Sequence, residues 1–120
     1  TSKLWYTQRW KDKIAAGFTN SASVNGDKLS TIHYLFTLSM QHCMIWLGVD
    51  LLPSNAKSAQ RNDPNWLGCF AGLLTQAPSD ASPDEAPPPG DLSLAQHFGT
   101  RIANYTLKTR GDSALTGSQR

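Results

Sequence analysis

The strongest candidate for chemistry is a polar loop, Thr19–Gly26, which follows a short apolar run at residues 13–19. It offers hydroxyl groups, a side-chain amide and backbone N–H groups, carried by Thr19, Asn20, Ser21, Ala22, Ser23 and Gly26. Such groups can hydrogen-bond the polar edge of a bound ligand. The alternative is an ordinary loop between a strand and a helix, because such loops are rich in Ser and Asn for capping alone.

Two further side chains could contribute either to a ligand site or to packing. Trp5 presents a large planar face, and stacking on it contributes ~1 kcal/mol beyond the area it buries. Trp5 can equally pack an edge of the fold together with Tyr6 and Trp10. His42 falls in the last turn of a predicted helix, where an imidazole also interacts favourably with the helix dipole. Each residue therefore has a functional and a structural interpretation.

No nucleophile–base pair and no cluster of metal-binding residues is evident. His33 and His97 fall on separate predicted helices with no third ligand in view, so we expect no metal site. The carboxylates of Asp80, Asp84 and Glu85 lie in a proline-rich stretch and are expected to be solvated. The residue types and spacings therefore point to neither a nucleophile–base site nor a metal site.

Length and composition exclude several classes of protein. A chain of 120 residues with 39% hydrophobic and 17% charged residues is typical of one domain. The net charge of +2, without a basic run, argues against a nucleic-acid partner. We find no apolar stretch long enough to span a membrane and no signal peptide. The first residue is not Met, which favours a trimmed or partial chain. Cys43 and Cys69 lie in apolar runs, which predicts buried free thiols in a reducing cytoplasm.

The apolar pattern predicts a β-α-β unit. Residues 13–19 and 44–49 are apolar runs of strand length, typical of buried parallel strands. Between them, residues 27–42 form a helix that Asn25 or Asp27 can cap. Its apolar stripe consists of Leu29, Ile32, Phe36, Met40 and Cys43. We therefore expect an α/β fold in which the two strands are adjacent and parallel.

The rest of the chain is predicted to be a long excursion and a final helix. Residues 50–90 form the excursion, within which Trp66–Thr75 is a strand or an extended segment and 77–90 are too proline-rich for regular structure. Asp91 then caps a helix that runs to about Thr109. The apolar face of this helix consists of Leu94, Ala95, Phe98, Ile102 and Tyr105. Residues 110–120 are expected to be a polar, disordered tail.

Several short strings resemble one family in their order and spacing. They are Leu4-Trp5, Lys11-Asp12-Lys13, Thr19-Asn20-Ser21-Ala22-Ser23, Gly26-Asp27-Lys28, Gln41-His42-Cys43-Met44, Asn65-Trp66-Leu67-Gly68, Pro89-Gly90-Asp91-Leu92 and Phe98-Gly99-Thr100-Arg101-Ile102-Ala103. Together they resemble the NAD(P)H:quinone oxidoreductase branch of the flavodoxin-like proteins. This is the family of the tryptophan-repressor-binding protein and its FMN-reductase relatives. The resemblance covers residues 3 to about 107.

The resemblance implies a doubly wound, five-stranded parallel sheet with FMN at its carboxyl edge. Residues 13–19 and 44–49 would be the last two strands, and the N-terminal half with its phosphate-binding loop would be missing from this chain. The loop Thr19–Gly26 would hold the pyrimidine edge of the flavin. Trp5 would cover the pocket for a quinone or nicotinamide. His42 would lie near the flavin edge, where relatives carry paired His and this chain has Gln41 before it.

The function that the resemblance implies is an FMN-dependent NAD(P)H oxidoreductase that reduces a quinone or a flavin. It would act in the cytoplasm as a homo-oligomer. One alternative is a non-catalytic flavodoxin-like fragment held by a partner. Another is an FMN-binding electron-transfer or scaffold protein without NAD(P)H activity. In each case we expect the 120-residue chain alone to bind FMN weakly or not at all.

Overall fold

The computed structural model describes the backbone of residues 2–115 and the side chains of residues 2–110. The helices of the described residues are α1 (Ser2–Tyr6), α2 (Lys28–Gln41) and α3 (Pro89–Leu115). The strands are β1 (Ile14–Ala15), β2 (Phe18–Ser21), β3 (Ile45–Trp46) and β4 (Leu73–Gln76). None of these helices is long and apolar enough to cross a membrane.

The four strands form two parallel pairs, β1 with β3 and β2 with β4. The carbonyls of Lys13 and Ala15 accept hydrogen bonds from residues on the β3 side, and those of Gly17 and Ser21 from residues on the β4 side, at 2.9–3.2 Å. These four residues are alternate members of one extended segment, so their carbonyls point to the same side of it. It follows that β3 and β4 are two halves of one interrupted strand, both paired with residues 13–21.

The predicted β-α-β unit is confirmed. The first and second apolar runs are adjacent and parallel, and α2 connects them and packs on one face. Gly17 makes this packing possible. A Cβ atom at Gly17 would lie 2.8 Å from the Trp46 ring and 3.2 Å from Leu35 Cδ1. Only a glycine lets the helix approach the strand so closely.

The predicted apolar stripe of α2 is wrong in part. Leu29, Phe36 and Met40 are 38–47% exposed. The face turned to the protein instead carries Lys28, Ile32 and Ser39. Polar residues occupy two of these three buried positions, so hydrophobicity alone places the stripe incorrectly.

Neither predicted helix cap forms as expected. Asp27 has φ 53° and makes no side-chain hydrogen bond to α2. Asn25 instead accepts a hydrogen bond from the Asp27 amide at 3.1 Å, in a local turn before the helix. Asp91 lies inside α3, which begins two residues earlier at Pro89. Its carboxylate bonds to other elements of the fold and does not cap the helix.

The two cysteines differ in exposure. Cys69 is buried, as predicted, but the same prediction is wrong for Cys43, which is exposed. Cys43 follows the end of α2 with φ 57°, the left-handed conformation that commonly ends a helix. It reverses the chain toward β3, which places its side chain outside the core.

The other face of the strands is covered by α3. The core there consists of Val49, Leu73, Leu94 and Phe98, with Ala16, Leu51, Ala95 and Ile102 packed around it. The predicted inward face of the helix is confirmed except at Tyr105, which is 42% exposed. The helix continues past Thr109, where the predicted tail begins, to Leu115, and residues 116–120 lie outside the described part.

The excursion between β3 and β4 (residues 47–72) is fastened at both ends. Near its base the Val49 amide donates to the Phe70 carbonyl at 2.8 Å. Further along, Asn65 is buried, and its side-chain Nδ2 donates to the carbonyls of Leu51 at 2.8 Å and Cys69 at 3.2 Å. These hydrogen bonds hold the two ends of the excursion close together, so that β4 continues along the direction in which β3 ended.

The opposite side of residues 13–21 pairs with no strand among residues 2–115. Phe18, at this edge, is 74% exposed. Beside it, an apolar groove of about 430 Å³ lies between β2 and α3 and is lined in part by Ala16, Phe98 and Ile102. In the described part of the sheet, the edge formed by residues 13–21 is therefore open on the side away from β3 and β4.

Candidate functional site

The loop Thr19–Gly26 lies at the carboxyl end of β2, where open parallel sheets bind ligands. Ser21 Oγ donates to the Ser23 carbonyl at 2.9 Å, which tightens the first turn of the loop. Gly26 has φ +55°, and a Cβ atom there would lie 2.9 Å from Ser21 Cβ and 3.1 Å from the Ser23 carbonyl oxygen. The close approach and the left-handed backbone both require glycine here.

Lys28 holds the loop from inside the protein. It is the first residue of α2 and only 1% exposed. Its Nζ atom donates to the carbonyls of Ser23 at 2.6 Å and Val24 at 2.7 Å. Burial lowers the pKa of Lys28, the Asp91 carboxylate opposes that shift, and Arg61 adds to it.

A third inward bond comes from β4, where Gln76 Nε2 donates to the Ala22 carbonyl at 2.7 Å. Three successive loop carbonyls, at residues 22, 23 and 24, thus bond to other groups of the protein. In a planar trans peptide the carbonyl and the following N–H point in opposite directions. The N–H groups of Ser23, Val24 and Asn25 therefore turn away from these partners, and none has an acceptor among the described residues.

Asn20 adds a side-chain donor to the same end of the sheet. The hydroxyl of Thr75, a buried residue, donates to Asn20 Oδ1 at 2.8 Å. Because the amide oxygen is taken, the Asn20 Nδ2 group remains to donate to a ligand. The Thr75 hydroxyl also lies 3.4 Å from the Thr19 carbonyl, which ties the ends of β2 and β4 together.

A buried ion pair supports the site from behind. The Asp91 carboxylate is 6% exposed. It accepts two hydrogen bonds from the Arg61 guanidinium at 2.7 and 2.8 Å and one from the backbone N–H of Gln76 at 2.9 Å. The hydrogen bonds with Asp91 raise the pKa of Arg61. The Arg61 guanidinium also lies 5.1 Å from the centre of the Trp66 ring. The excursion is thereby joined to the strand end that carries Gln76.

Trp5 lies at the other end of the molecule. The loop precedes α2, whose 14 residues span roughly 20 Å at 1.5 Å per residue. Trp5 is 49% exposed and lines a cavity of about 340 Å³ with Ser2, Leu38 and Gln41, near the far end of that helix. One copy of the chain does not bring Trp5 and the loop together.

His42 also lies at this far end, and it is 1% exposed. Its ring packs against Trp10 with centroids 4.6 Å apart. The buried Nδ1 atom has no hydrogen-bond partner among the described residues. Within one copy of the chain, this geometry supports a packing role for His42.

The loop was identified from the sequence, but three of the residues that shape it were missed. Lys28, Gln76 and Asp91 act through contacts that no local pattern predicts. The signal that the sequence offered for Lys28 was its polar side chain at the first position of α2, where it interrupts the hydrophobic pattern of the helix's buried face.

Parallel strands with a helix on each face and a polar loop at their carboxyl end define a flavodoxin-like α/β fold. No family model matches the chain. It is 44% identical over 103 residues to Flavodoxin FldP of Pseudomonas aeruginosa (strain UCBPP-PA14), an alignment that covers 86% of this chain and 55% of the relative.

A solved structure leads to the same class. The flavodoxin, WrbA-like protein from Agrobacterium tumefaciens superposes with a TM-score of 0.63 at 32% identity, over 89% of this chain and 51% of that protein. The chain thus spans about half the length of the relatives it matches. The resemblance predicted from the sequence is confirmed: the chain is flavodoxin-like and WrbA-like.

Proposed function

We propose that this chain forms the flavin-ring side of an FMN site in a flavodoxin-like redox protein. Flavodoxins and WrbA-like proteins bind FMN. The observation that carries the proposal is the loop at the carboxyl end of β2, which turns the N–H groups of residues 23–25 away from their internal partners. Asn20 Nδ2 is a further donor at the same end of the sheet. The pyrimidine edge of a flavin offers carbonyl and ring-nitrogen acceptors to such donors.

When bound, the flavin supplies the redox chemistry by taking up and releasing electrons. The residues of this chain bind and orient its ring. Outward N–H groups stabilise negative charge on the ring edge, which favours the reduced form. The direction of these N–H groups is fixed before the flavin binds, because the carbonyls of residues 22–24 already accept hydrogen bonds from Ser21, Lys28 and Gln76.

The described residues fit the ring better than the phosphate of FMN. A phosphate needs several free N–H donors at a helix N-terminus. At the start of α2 the Lys28 amide donates to the Asn25 carbonyl at 3.1 Å, and the Asp27 carboxylate adds negative charge. At the start of α3 the Gly90 amide donates to Asn62 Oδ1 at 2.9 Å. We therefore place phosphate binding in other residues of the natural protein.

The first candidate activity is that of an NAD(P)H oxidoreductase that reduces a quinone or a flavin in the cytoplasm. It is supported by the resemblance of the sequence strings to that branch and by the WrbA-like structure. The second candidate is an electron carrier. Its support is the 44% identity to a protein named as a flavodoxin. Both candidates require the same ring site and differ in whether a nicotinamide donor is used.

The separation of Trp5 and His42 from the loop bears on the assembly. If either residue contributes to the pocket above the flavin ring, it must come from a second copy of the chain. An open strand edge with Phe18 74% exposed also provides surface for association. We therefore propose a homo-oligomer in which the far end of one copy approaches the loop of another.

The experiment that tests these proposals uses the natural protein at full length. Flavin fluorescence is titrated with the protein, and NADH and NADPH oxidation is followed with and without a quinone. Binding with quinone-dependent NAD(P)H oxidation supports the oxidoreductase. Binding without it, together with electron transfer to a redox partner, supports the carrier. Absence of flavin binding refutes both and leaves a non-catalytic flavodoxin-like protein.

A further inference from the structure

Lys28 is an unusual residue for its position. The first residue of a helix is normally solvated, yet this lysine is 1% exposed and lies behind a loop whose N–H groups face outward. Its two hydrogen bonds, at 2.6 and 2.7 Å, have the short lengths typical of charge-assisted bonds. Both hydrogen bonds end on carbonyls of the loop itself, so only the peptide groups of the loop separate the ammonium from the outward face of the loop.

We propose that Lys28 is a positioning residue that sets the direction of the loop peptides and places a positive charge behind the flavin ring. This inference rests on the proposed function and deepens it. It assigns to Lys28 two effects on one ligand, a geometric effect on the affinity for the flavin and an electrostatic effect on its reduction.

The geometric effect follows from the peptide planes. The carbonyls of Ser23 and Val24 accept from Nζ, so the amides of Val24 and Asn25 must point the other way. Without the ammonium, the Val24 carbonyl loses the donor that the described residues give it, and the Ser23 carbonyl keeps only the Ser21 hydroxyl. The Val24 carbonyl can then regain a hydrogen bond by turning toward water. Rotation of those peptides would turn the N–H groups away from the ligand.

The electrostatic effect follows from the surrounding charges. Asp91, whose carboxylate acts electrostatically on Lys28, is already paired bidentately with Arg61. The Lys28 charge is therefore not neutralised by a salt bridge of its own. Its partners are neutral carbonyls, and burial keeps water from screening it. A reduced flavin, which carries more negative charge than the oxidised form, is stabilised by it.

The test compares Lys28→Met, which keeps the length of the stem, with Lys28→Arg, which keeps the charge. Lys57→Met removes one exposed charge from the excursion and is the matched control. Each variant is made in the natural protein at full length, and its folding is checked by circular dichroism. The measurements are the affinity for oxidised FMN, the midpoint potential of bound FMN, and amide hydrogen exchange of residues 22–26 without flavin.

We expect K28M to weaken the binding of oxidised FMN about tenfold, on the scale of one charge-assisted hydrogen bond. Reduced FMN should lose about tenfold more, which corresponds to a midpoint potential about 30 mV lower for two electrons. K28R should recover most of the potential, because it restores the charge. K57M should match the wild type in every measurement. Faster amide exchange in residues 22–26 of K28M would support the geometric effect without any flavin.

The two levels of the argument fail differently. A wild-type protein that binds no FMN refutes the proposed function, and the flavin role of Lys28 with it. A K28M protein that folds, binds FMN and keeps the wild-type potential refutes the inference alone. If K28M does not fold, the wild type decides by nitrogen NMR of the lysine ammonium groups. An Nζ signal of Lys28 that shifts when bound FMN is reduced supports the inference, and an unchanged signal overturns it.

Discussion

The two ends of this α/β unit are built from different interactions. At the carboxyl end of β2, polar groups of three elements (β2, α2 and β4) hold the carbonyls of one loop, and the Gly26 backbone makes the turn possible. At the amino end, aromatic rings dominate. Trp10 packs on His42, whose buried Nδ1 has no partner among the described residues, and Trp5 is half exposed. At the carboxyl end the loop carbonyls are paired with other groups of the protein. At the amino end the Trp5 ring is half exposed and the buried His42 Nδ1 is unpaired among the described residues.

This difference shows that sequence motifs that resemble one family's site do not necessarily lie close together within a single chain. Trp5 and His42 flank the loop in sequence, yet α2 carries the chain roughly 20 Å away before His42 is reached. In the proposed function, the carboxyl end receives the ligand within one copy. In the proposed homo-oligomer, the amino end reaches that site only from a neighbouring molecule.

The largest expected effect concerns the phosphate of the ligand. The 120-residue chain should bind FMN no more tightly than micromolar, because a ring contact alone must offset several kcal/mol of ordering cost. Riboflavin, which lacks the phosphate, should bind it about equally well, within roughly threefold. Fluorescence titration of both ligands checks this. Nanomolar FMN binding, or a large preference for FMN over riboflavin, would show a phosphate site within these residues.

A substitution at the carboxyl end should affect the ligand more than the fold. Gly26→Ala places a Cβ 2.9 Å from Ser21 Cβ on a backbone with φ +55°. We expect a loss of about 1–3 kcal/mol in the free energy of unfolding and at least a tenfold loss in flavin affinity. Chemical denaturation and flavin titration measure the two quantities.

Gly99→Ala is the matched control for that substitution. Gly99 lies in α3, and nothing comes within 4 Å of an added Cβ there. The change should stabilise the protein by roughly 0.5–1 kcal/mol, because alanine favours a helix over glycine. Flavin affinity should be unaffected. If both variants lower flavin affinity equally, the loop is not the site.

Substitutions at the amino end should leave ring binding by one copy intact. His42→Phe keeps an aromatic ring against Trp10 and removes the unpartnered nitrogen, so stability should stay within about 1 kcal/mol of the wild type or rise. His42→Ala should cost about 2 kcal/mol through lost packing. Neither should change flavin affinity of the 120-residue chain, as measured by titration. A loss of affinity in H42F with the fold intact would join the two ends in one copy.

The smallest expected effect is a pH-dependent contact on the α3 side. Asp50 accepts from His97 Nε2 at 2.7 Å, which lowers the pKa of the Asp50 carboxyl from its usual 3.8, and Arg101 at 3.5 Å adds to this. A lowered pKa in the folded state means that the contact stabilises the fold above pH 3.8, and that this stability is lost as the carboxyl protonates in stronger acid.

Asp50→Asn tests this contact. Because Asp50 is 39% exposed, the contribution should not exceed about 1 kcal/mol. The variant should be less stable than the wild type near neutral pH, and the difference should shrink as the pH falls below 3.8 and the Asp50 carboxyl protonates. Urea denaturation at several pH values measures this, with the exposed Asp80→Asn as control. A destabilisation that persists unchanged in acid would exclude the ionised carboxylate as its cause.

The sequence was sufficient for the β-α-β unit because the two strand segments are continuous apolar runs on either side of a helical pattern. Their predicted burial is wrong in part, since Phe18 and Ile45 are 74% and 48% exposed. The sequence was insufficient for the face of α2, because Lys28 and Ser39 occupy buried positions that a hydrophobic pattern cannot assign. The loop could be located, since it is polar and follows an apolar run of strand length. Its internal bonding could not, because Gln76 reaches Ala22 from 54 residues away. Long-range polar contacts leave no periodic trace in a sequence.

The strand pairing shows the same limit. Residues 44–49 and 66–75 were separate predictions, and no local pattern reveals that they supply two halves of one strand. That relation depends on which carbonyls of residues 13–21 accept their amides. Likewise, the left-handed backbone of Cys43 follows from the chain reversal that β3 requires, and the apolar residues beside it predict burial instead.

The interrupted strand has a consequence for how such proteins vary in length. The excursion leaves and rejoins a single strand, and its base is closed by the bond between the Val49 amide and the Phe70 carbonyl. Each doubling of a flexible loop costs only about 0.6 kcal/mol in closure entropy. Residues can therefore be gained or lost here without any change of register between the strands. Evolution can enlarge or trim this segment freely, provided that the residues that meet Asp91 and Gly90 are kept.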